Sequence, residues 1–204
     1  MSLRHFYPVI LAGGRGTRFW PRSRARAAKQ VLALDGRRSM IQQTVARLQP
    51  LAPLENFWVI TNGALRPAIA RQLPGLSRRQ IIPEPVGRNT APAVGLAAFL
   101  LLRHDPEAVM GMFPADHVIG EEKKFRRAVK KAVATATTGA NIVVMGIRPT
   151  RPETGYGYIE TGRKASRGLV RVRRFTEKPG AATARRFLRS RRFLWNSGMF
   201  LWRA

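Results

Sequence analysis

Glycine, threonine and basic residues crowd one stretch of this chain, Leu11–Lys29, which reads LAGGRGTRFWPRSRARAAK. Gly13, Gly14 and Gly16 lack Cβ atoms, so backbone N–H groups there can come close to a ligand. Thr17 adds a hydroxyl donor, and Arg18 and Lys29 add cations suited to a polyphosphate. The stretch follows an apolar run, Pro8–Ala12, that reads as a buried strand entering a glycine-rich turn. Its spacing is neither G-x-G-x-x-G nor G-x-x-x-x-G-K-[ST], which excludes two common phosphate motifs. Pro21 and the polar run to Arg26 favour continued loop over an immediate helix. On glycine chemistry alone, a strand-to-loop turn with merely solvated cations is the competing reading.

The second chemistry-bearing residue is Asp116. It lies just beyond an apolar strand, Val109–Phe113, at the carboxyl end where open α/β sheets place their ligands. Mg²⁺ prefers one or two carboxylates plus substrate phosphate oxygens to an all-protein cage, and Asp116 suits that role. A turn or helix-capping aspartate is the bland alternative. The neighbouring His117 belongs to a set of three histidines with no metal-ligand spacing, and reads as a packing or hydrogen-bonding residue.

The wording of the glycine stretch, G-G-x-G-T-R followed by a proline and then a lysine, resembles the signature of sugar-1-phosphate nucleotidyltransferases. The later segments EPVGRNTAP, FPADHVI, GYGYIE, FTEKP and WNSGMF match that family in its order, from about Pro8 to the last residues. Within the family they are most similar to the branch that joins GTP and mannose 1-phosphate into GDP-mannose. The resemblance implies an α/β, Rossmann-like nucleotidyltransferase domain over residues 1–204, with a mixed, mostly parallel central sheet flanked by helices. It implies that Arg18 and Lys29 are catalytic and that Leu11, Ala12, Gly13, Gly14, Gly16 and Thr17 hold the nucleotide. Glu84, Asn89 and Thr90 fall on the nucleobase side, in a form that favours guanine over uracil or adenine. Gly157, Glu177, Lys178 and Asn196 fall on the sugar-phosphate side, and Asp116 holds Mg²⁺. Two departures stand out. The family usually has proline where this chain has Ala28, before the loop lysine. It also supplies a second metal-binding aspartate well past WNSGMF, whereas the aspartates here are Asp35, Asp105 and Asp116. The chain therefore reads as the front part of a longer enzyme, with its own turnover in doubt.

Periodicity supplies the elements that position these residues. Ser39 is placed to cap a helix over Met40–Leu48. Strands are expected at Phe57–Thr61 and Gln80–Ile82, the latter ended by Pro83, and a helix near Leu65–Leu73. Asn89 or Thr90 caps an apolar helix to about Arg103. Glu121–Thr138 is amphipathic, with Lys123, Lys124, Arg127, Lys130 and Lys131 opposite Phe125, Val129 and Val133, which favours a solvated outer face. Ile142–Gly146 follows as a strand. Beyond Pro149 the strands Tyr156–Glu160, Leu169–Phe175 and Phe193–Trp202, with a helix at Ala181–Leu188, read as a mixed sheet. Gly162–Gly168 reads as a basic, glycine-bounded loop.

The 204 residues carry 37 basic and 11 acidic side chains, a net charge of +26, and thirty of the cations are arginine. Such a balance fits non-specific polyanion binding at low salt. The chain nevertheless has no zinc-finger spacing, no RNA-recognition signature and no basic segment interleaved with aromatics, so no specific nucleic-acid partner is expected. There is no cysteine, which excludes disulfides and thiolate metal sites. Phe6–Ala12 is too short for a signal-peptide core, and Ala93–Leu102 falls short of the ~20 residues of a membrane span. The expectation is a cytoplasmic protein, with a homodimer possible. Alternatives to the guanylyl reading are UTP, dTTP or ATP as substrate, a nucleotide-binding fragment without turnover, or a polyanion-binding protein.

Overall fold

A computed structural model describes residues 3–14, 28–87, 90–165 and 168–204. It divides into two compact units, Met1–Val143 with Phe200–Ala204, and Val144–Met199. In the first unit the strands β1 (Phe6–Leu11), β2 (Trp58–Asn62), β3 (Ile81–Glu84) and β4 (Val109–Pro114) lie side by side in the order β3-β2-β1-β4, all parallel. Helices α1 (Met40–Leu48), α2 (Arg66–Gln72) and α3 (Thr90–His104) connect them, and α4 (Glu122–Ala136) follows β4. The last residues of β8 (Phe193–Arg203) run antiparallel beside β4, from Met112↔Phe200 to Val109↔Arg203.

Strand alternation divides the apolar side chains between two faces. Tyr7, Val9, Ile60, Met110 and Met112 share one face with Ala93, Ala97 and Leu101 of α3. Phe6 and Phe113 point the other way, their rings edge-on at 6.4 Å, and Phe113 meets Phe125 of α4 at 6.3 Å. Both faces of β1 are therefore covered, which is why it reads as an unbroken apolar run. The Ser39 cap is observed in full: the Gln42 N–H reaches Ser39 Oγ while Ser39 N–H donates to Gln42 Oε1 at 3.0 Å, a capping box. On α4, Phe125, Val129 and Val133 are buried and Lys123, Lys124, Arg127 and Lys130 are exposed, as amphipathicity predicts.

Two expectations are corrected. Pro83 does not end its strand; it pairs with Thr61 and β3 continues to Glu84. Among the described strands β3 neighbours β2 alone, and an edge strand tolerates a residue without an N–H. Likewise Gly162–Gly168 is not all loop. In the second unit β6 (Tyr158–Lys164) runs on through Gly162 and Lys164, because β7 (Val170–Thr176) pairs with it antiparallel across two irregularities. The rest of that unit comprises β5 (Val143–Ile147), the Phe193–Trp195 stretch of β8 alongside β6, and α5 (Ala181–Ser190). Its core joins Tyr158, Ala184, Phe187, Phe193 and Trp195, with Phe187 and Phe193 stacked at 3.7 Å. No helix among the described residues is long and apolar enough to cross a membrane.

A polar knot ties the amino ends of β1 and β4. Asp105 Oδ2 accepts from the His5 ring at 2.7 Å and from Tyr7 Oη at 2.9 Å, and its Oδ1 accepts from the Glu107 N–H at 2.9 Å. Burial pushes the Asp105 carboxyl up, but these hydrogen bonds and the His5 charge outweigh it, leaving the carboxyl below its usual range. Tyr7, buried and facing that carboxylate, is pushed up to about 12. A depressed carboxyl contributes stability above its unfolded pKa and loses it as pH falls through the folded one. Asp105→Ala is accordingly expected to cost about 1–3 kcal/mol near pH 7, and the deficit should shrink in acid below the ordinary aspartate range, as the carboxyl is protonated. Urea unfolding of both chains at neutral and acid pH measures this.

Candidate functional site

The site in the first unit begins with strand register. β1 and β4 end level, Leu11 opposite Pro114, and the Ala115 N–H donates to Leu11 O at 3.0 Å. The turn after β1 and the turn after β4 thus leave the sheet at the same carboxyl edge, the place where parallel α/β sheets bind ligands.

Three side chains then hold three consecutive carbonyls. Thr61 Oγ1 donates to Ala12 O at 3.0 Å, Asn62 Nδ2 to Gly13 O at 3.2 Å, and Gln30 Nε2 to Gly14 O at 3.1 Å. A peptide plane presents its C=O and the following N–H in opposite directions. Holding the Ala12 and Gly13 carbonyls therefore turns the Gly13 and Gly14 N–H groups away from Thr61 and Asn62, and neither finds an acceptor among the described residues. A Cβ at Gly13 would lie 2.9 Å from Glu84 Oε2, so the glycine is what lets the carboxylate of β3 come this close. Burial raises the pKa of Glu84.

Lys29 opens a 3₁₀ turn, Lys29–Val31, that is entered from buried Ala28 with φ −68° and ψ 158°. That φ is the value a proline ring locks; Ala28 adopts it without the ring's restraint. Lys29 Nζ forms an ion pair with Asp116 Oδ2, both side chains about a quarter exposed at 23% and 24%. The cation and carboxylate that the sequence assigns to one crevice do meet. His117 Nε2 stands 3.8 Å from Asp116 Oδ1. Burial pushes His117 below its ordinary value, opposed by Asp116 and assisted by Lys29 and Arg47. Thr90 is the exposed first residue of α3. Gly16, Thr17, Arg18 and Asn89 lie outside the described residues.

Among the described residues no group of three or more His, Cys, Asp or Glu side chains could hold a metal by itself. A structural cage is thereby ruled out within that set, but a cation shared between one carboxylate and substrate phosphates is not. Asp116, partly exposed and beside the glycine turn, fits the shared kind.

The second unit brings together the residues that the resemblance assigns to the sugar-phosphate side. A Cβ at Gly157 would lie 2.8 Å from Glu177 Oε2 and 3.5 Å from Asn196 Cβ, and the Asn196 N–H donates to Gly157 O at 2.8 Å. Asn196 Oδ1 accepts from the Gly198 N–H at 3.0 Å. Glu177 Oε1 pairs with Lys178 Nζ at 2.9 Å, and Lys178 takes a left-handed φ of 39°. Residues from three separated motifs therefore form one polar cluster.

Sequence reasoning missed Gln30, Thr61 and Asn62, which shape the glycine turn. Their only signal is position: Gln30 follows the loop lysine, and Thr61-Asn62 ends the strand next to β1. Asn62-Gly63 reads as a strand break, and nothing in those two letters says that the amide reaches back to Gly13.

Known proteins match this chain along nearly its whole length. Residues 7–204 match the nucleotidyl transferase family. The chain is 47% identical over 201 residues to a mannose-1-phosphate guanylyltransferase of Salmonella muenchen, spanning 97% of this chain and 42% of that protein. It is 45% identical over 213 residues to the mannose-1-phosphate guanylyltransferase of Escherichia coli, 100% of this chain and 44% of that one. The chain thus spans less than half the length of these relatives. A solved structure from Thermus thermophilus, described as a mannose-1-phosphate geranyltransferase, superposes with a TM-score of 0.88 at 34% identity, over 98% of this chain and 57% of that one. Motif order along almost the whole sequence and the fold that carries the motifs lead to one conclusion: the chain belongs to the nucleotidyl transferase family.

Proposed function

We propose that this chain carries the nucleotidyl-transfer part of a mannose-1-phosphate guanylyltransferase. In the reaction a phosphate oxygen of mannose 1-phosphate attacks the α-phosphorus of GTP. The new P–O bond forms as the bond to the bridging β-phosphate oxygen breaks, giving GDP-mannose and pyrophosphate. The nucleophile is already anionic, so the residues need supply no general base; their work is placement and charge compensation. The observation that carries the reading is the Lys29–Asp116 pair beside the Gly13–Gly14 turn.

In this reading Lys29 and Arg18 meet the triphosphate, and the Gly13 and Gly14 N–H groups contribute donors. Asp116 would hold Mg²⁺, which supplies neutralisation of phosphate charge when bound. Gly157, Glu177 and Asn196 take the sugar hydroxyls and Lys178 its phosphate. Glu84 supports guanine as the base. A carboxylate accepts two adjacent donors, and guanine offers N1–H beside its exocyclic amine on one edge, a pairing that uracil, thymine and adenine do not match. Both substrates are metabolites of the cytoplasm, which is where we place the protein.

A panel of GTP, UTP, dTTP and ATP with mannose 1-phosphate, followed by pyrophosphate release, tests the reading. GTP is expected to exceed the others by about tenfold or more, the scale of one charge-assisted base contact. Equal turnover of UTP would replace the guanylyl reading with another sugar nucleotidyltransferase. GTP binding without product would identify this stretch as a binding part that needs further residues.

A further inference from the structure

Arg47 is a charged side chain of the first unit with only 3% exposure, and the reaction as derived above does not use it. A buried guanidinium is costly unless fully paired, and this one is not. Its Nη1 donates to His117 O at a long 3.4 Å, its Nε lies 3.7 Å from Glu122 Oε1, and Nε has no hydrogen-bond partner among the described residues. Glu122 is shared besides, its Oε2 taking Arg126 Nη1 at 2.9 Å. Burial pushes the Arg47 guanidinium below its ordinary value, against the pull of Glu122. Stability alone is a poor reason for such a residue, since an apolar side chain of similar volume would fill the space without the desolvation cost.

What Arg47 touches suggests a better reason. Ala115-Asp116 is a turn, and the chain has no helix or strand from there until α4 begins at Glu122. One residue before Asp116, the Ala115 N–H is fastened to Leu11 O on β1; one residue after it, the His117 carbonyl faces Arg47 on α1. The backbone carrying the Asp116 carboxylate is thus held on one side by the sheet and on the other by a helix. Fixing both flanks fixes where the carboxylate points, the requirement that support of a site by its surroundings has to meet.

We infer that Arg47 is a positioning residue: it holds the His117 carbonyl so that Asp116 presents its carboxylate to a divalent cation shared with the nucleotide. The inference rests on the functional reading above. Its test uses Mn²⁺ as the probe, titrated into the chain with saturating GTP and followed by the electron-spin resonance signal of free Mn²⁺. Arg47→Met is expected to fold, with a melting temperature within a few degrees of the parent, and to bind Mn²⁺ about tenfold more weakly in the GTP complex. Its metal-free GTP affinity should change less than twofold. Arg47→Lys keeps a donor of the same charge and should narrow the Mn²⁺ deficit to two- to threefold.

Unchanged Mn²⁺ affinity in Arg47→Met overturns the inference, as does a loss of Mn²⁺ and GTP binding in parallel with melting temperature. If Arg47→Met does not fold, Arg47→Lys decides: a purely structural role leaves its Mn²⁺ affinity equal to the parent's. Asp116→Asn separates the two levels. Mn²⁺ binding unaffected by that change, or a parent chain that binds no GTP, sinks the functional reading and this inference with it.

Discussion

Lys29→Met should lower kcat/KM for GTP by about 10²–10³, the loss that follows removal of one preorganised group facing developing charge. The side chain is on a rigid support. Ala28 before it is buried, the Val31 N–H closes the short turn on Ala28 O at 3.0 Å, and Gln72 Nε2 holds Val31 O at 2.9 Å. Methionine keeps the apolar stem and removes the ammonium. The ion pair with Asp116 is partly exposed, so its contribution to folding is about 1 kcal/mol or less, a shift of roughly 2–4 °C in a chain of this size. Catalysis and stability should therefore separate by a wide margin. Pyrophosphate release and a thermal melt on the same preparation measure both. If the two fall together, Lys29 is a structural residue and the reading of the crevice fails. Where turnover needs residues outside this chain, GTP affinity by calorimetry carries the same comparison.

Glu84→Gln is expected to reduce the preference for GTP over ATP and UTP by about tenfold while leaving the chain as stable as before or slightly more so. A site built to accept two donors loses most when the acceptor becomes an amide, because one of its two positions then presents N–H groups to a donor. The stability direction follows from the raised pKa that burial imposes on Glu84. A carboxyl whose folded pKa exceeds its unfolded one binds more protons when folded, so it lowers stability as pH rises through that window. At neutral pH the ionised form is the destabilised one, and glutamine removes that cost. The same shift predicts that GTP affinity falls on acidification at a higher pH than an ordinary carboxylate would give, since accepting from guanine requires the ionised form. Relative kcat/KM across the four triphosphates, and GTP affinity from pH 8 to pH 5, test the two statements. Unaltered base preference in the Glu84→Gln chain would move base recognition elsewhere.

Much of this protein is legible without coordinates. Apolar runs at 9–11, 59–60 and 109–113 give the buried parallel strands because a strand covered on both faces must be apolar throughout. Ser39 with Gln42 three residues on marks a helix start through chemistry that acts within one turn. The basic face of α4 is set by the 3.6-residue period. Gly13, Gly14, Lys29 and Asp116 stand out because few residue types supply phosphate donors and metal oxygens.

Tertiary structure alone decided the rest. That Lys29 meets Asp116 depends on β1 and β4 being neighbours whose ends lie level, a register stated by no local window. Gln30, Thr61 and Asn62 became part of the glycine turn only when β2 lay against β1 and the 3₁₀ turn folded back on both. Pro83 stays in its strand because β3 has no described neighbour on its far side, and β6 runs on to Lys164 because Val170 of β7 pairs with it beyond an irregular stretch. Arg47 reads as an ordinary helix cation until packing buries it. Composition and short-range pattern fix which elements form, since propensity, capping and amphipathicity act within a few residues; which side chains meet is set by contacts between residues tens of positions apart, and those exist only in the assembled sheet.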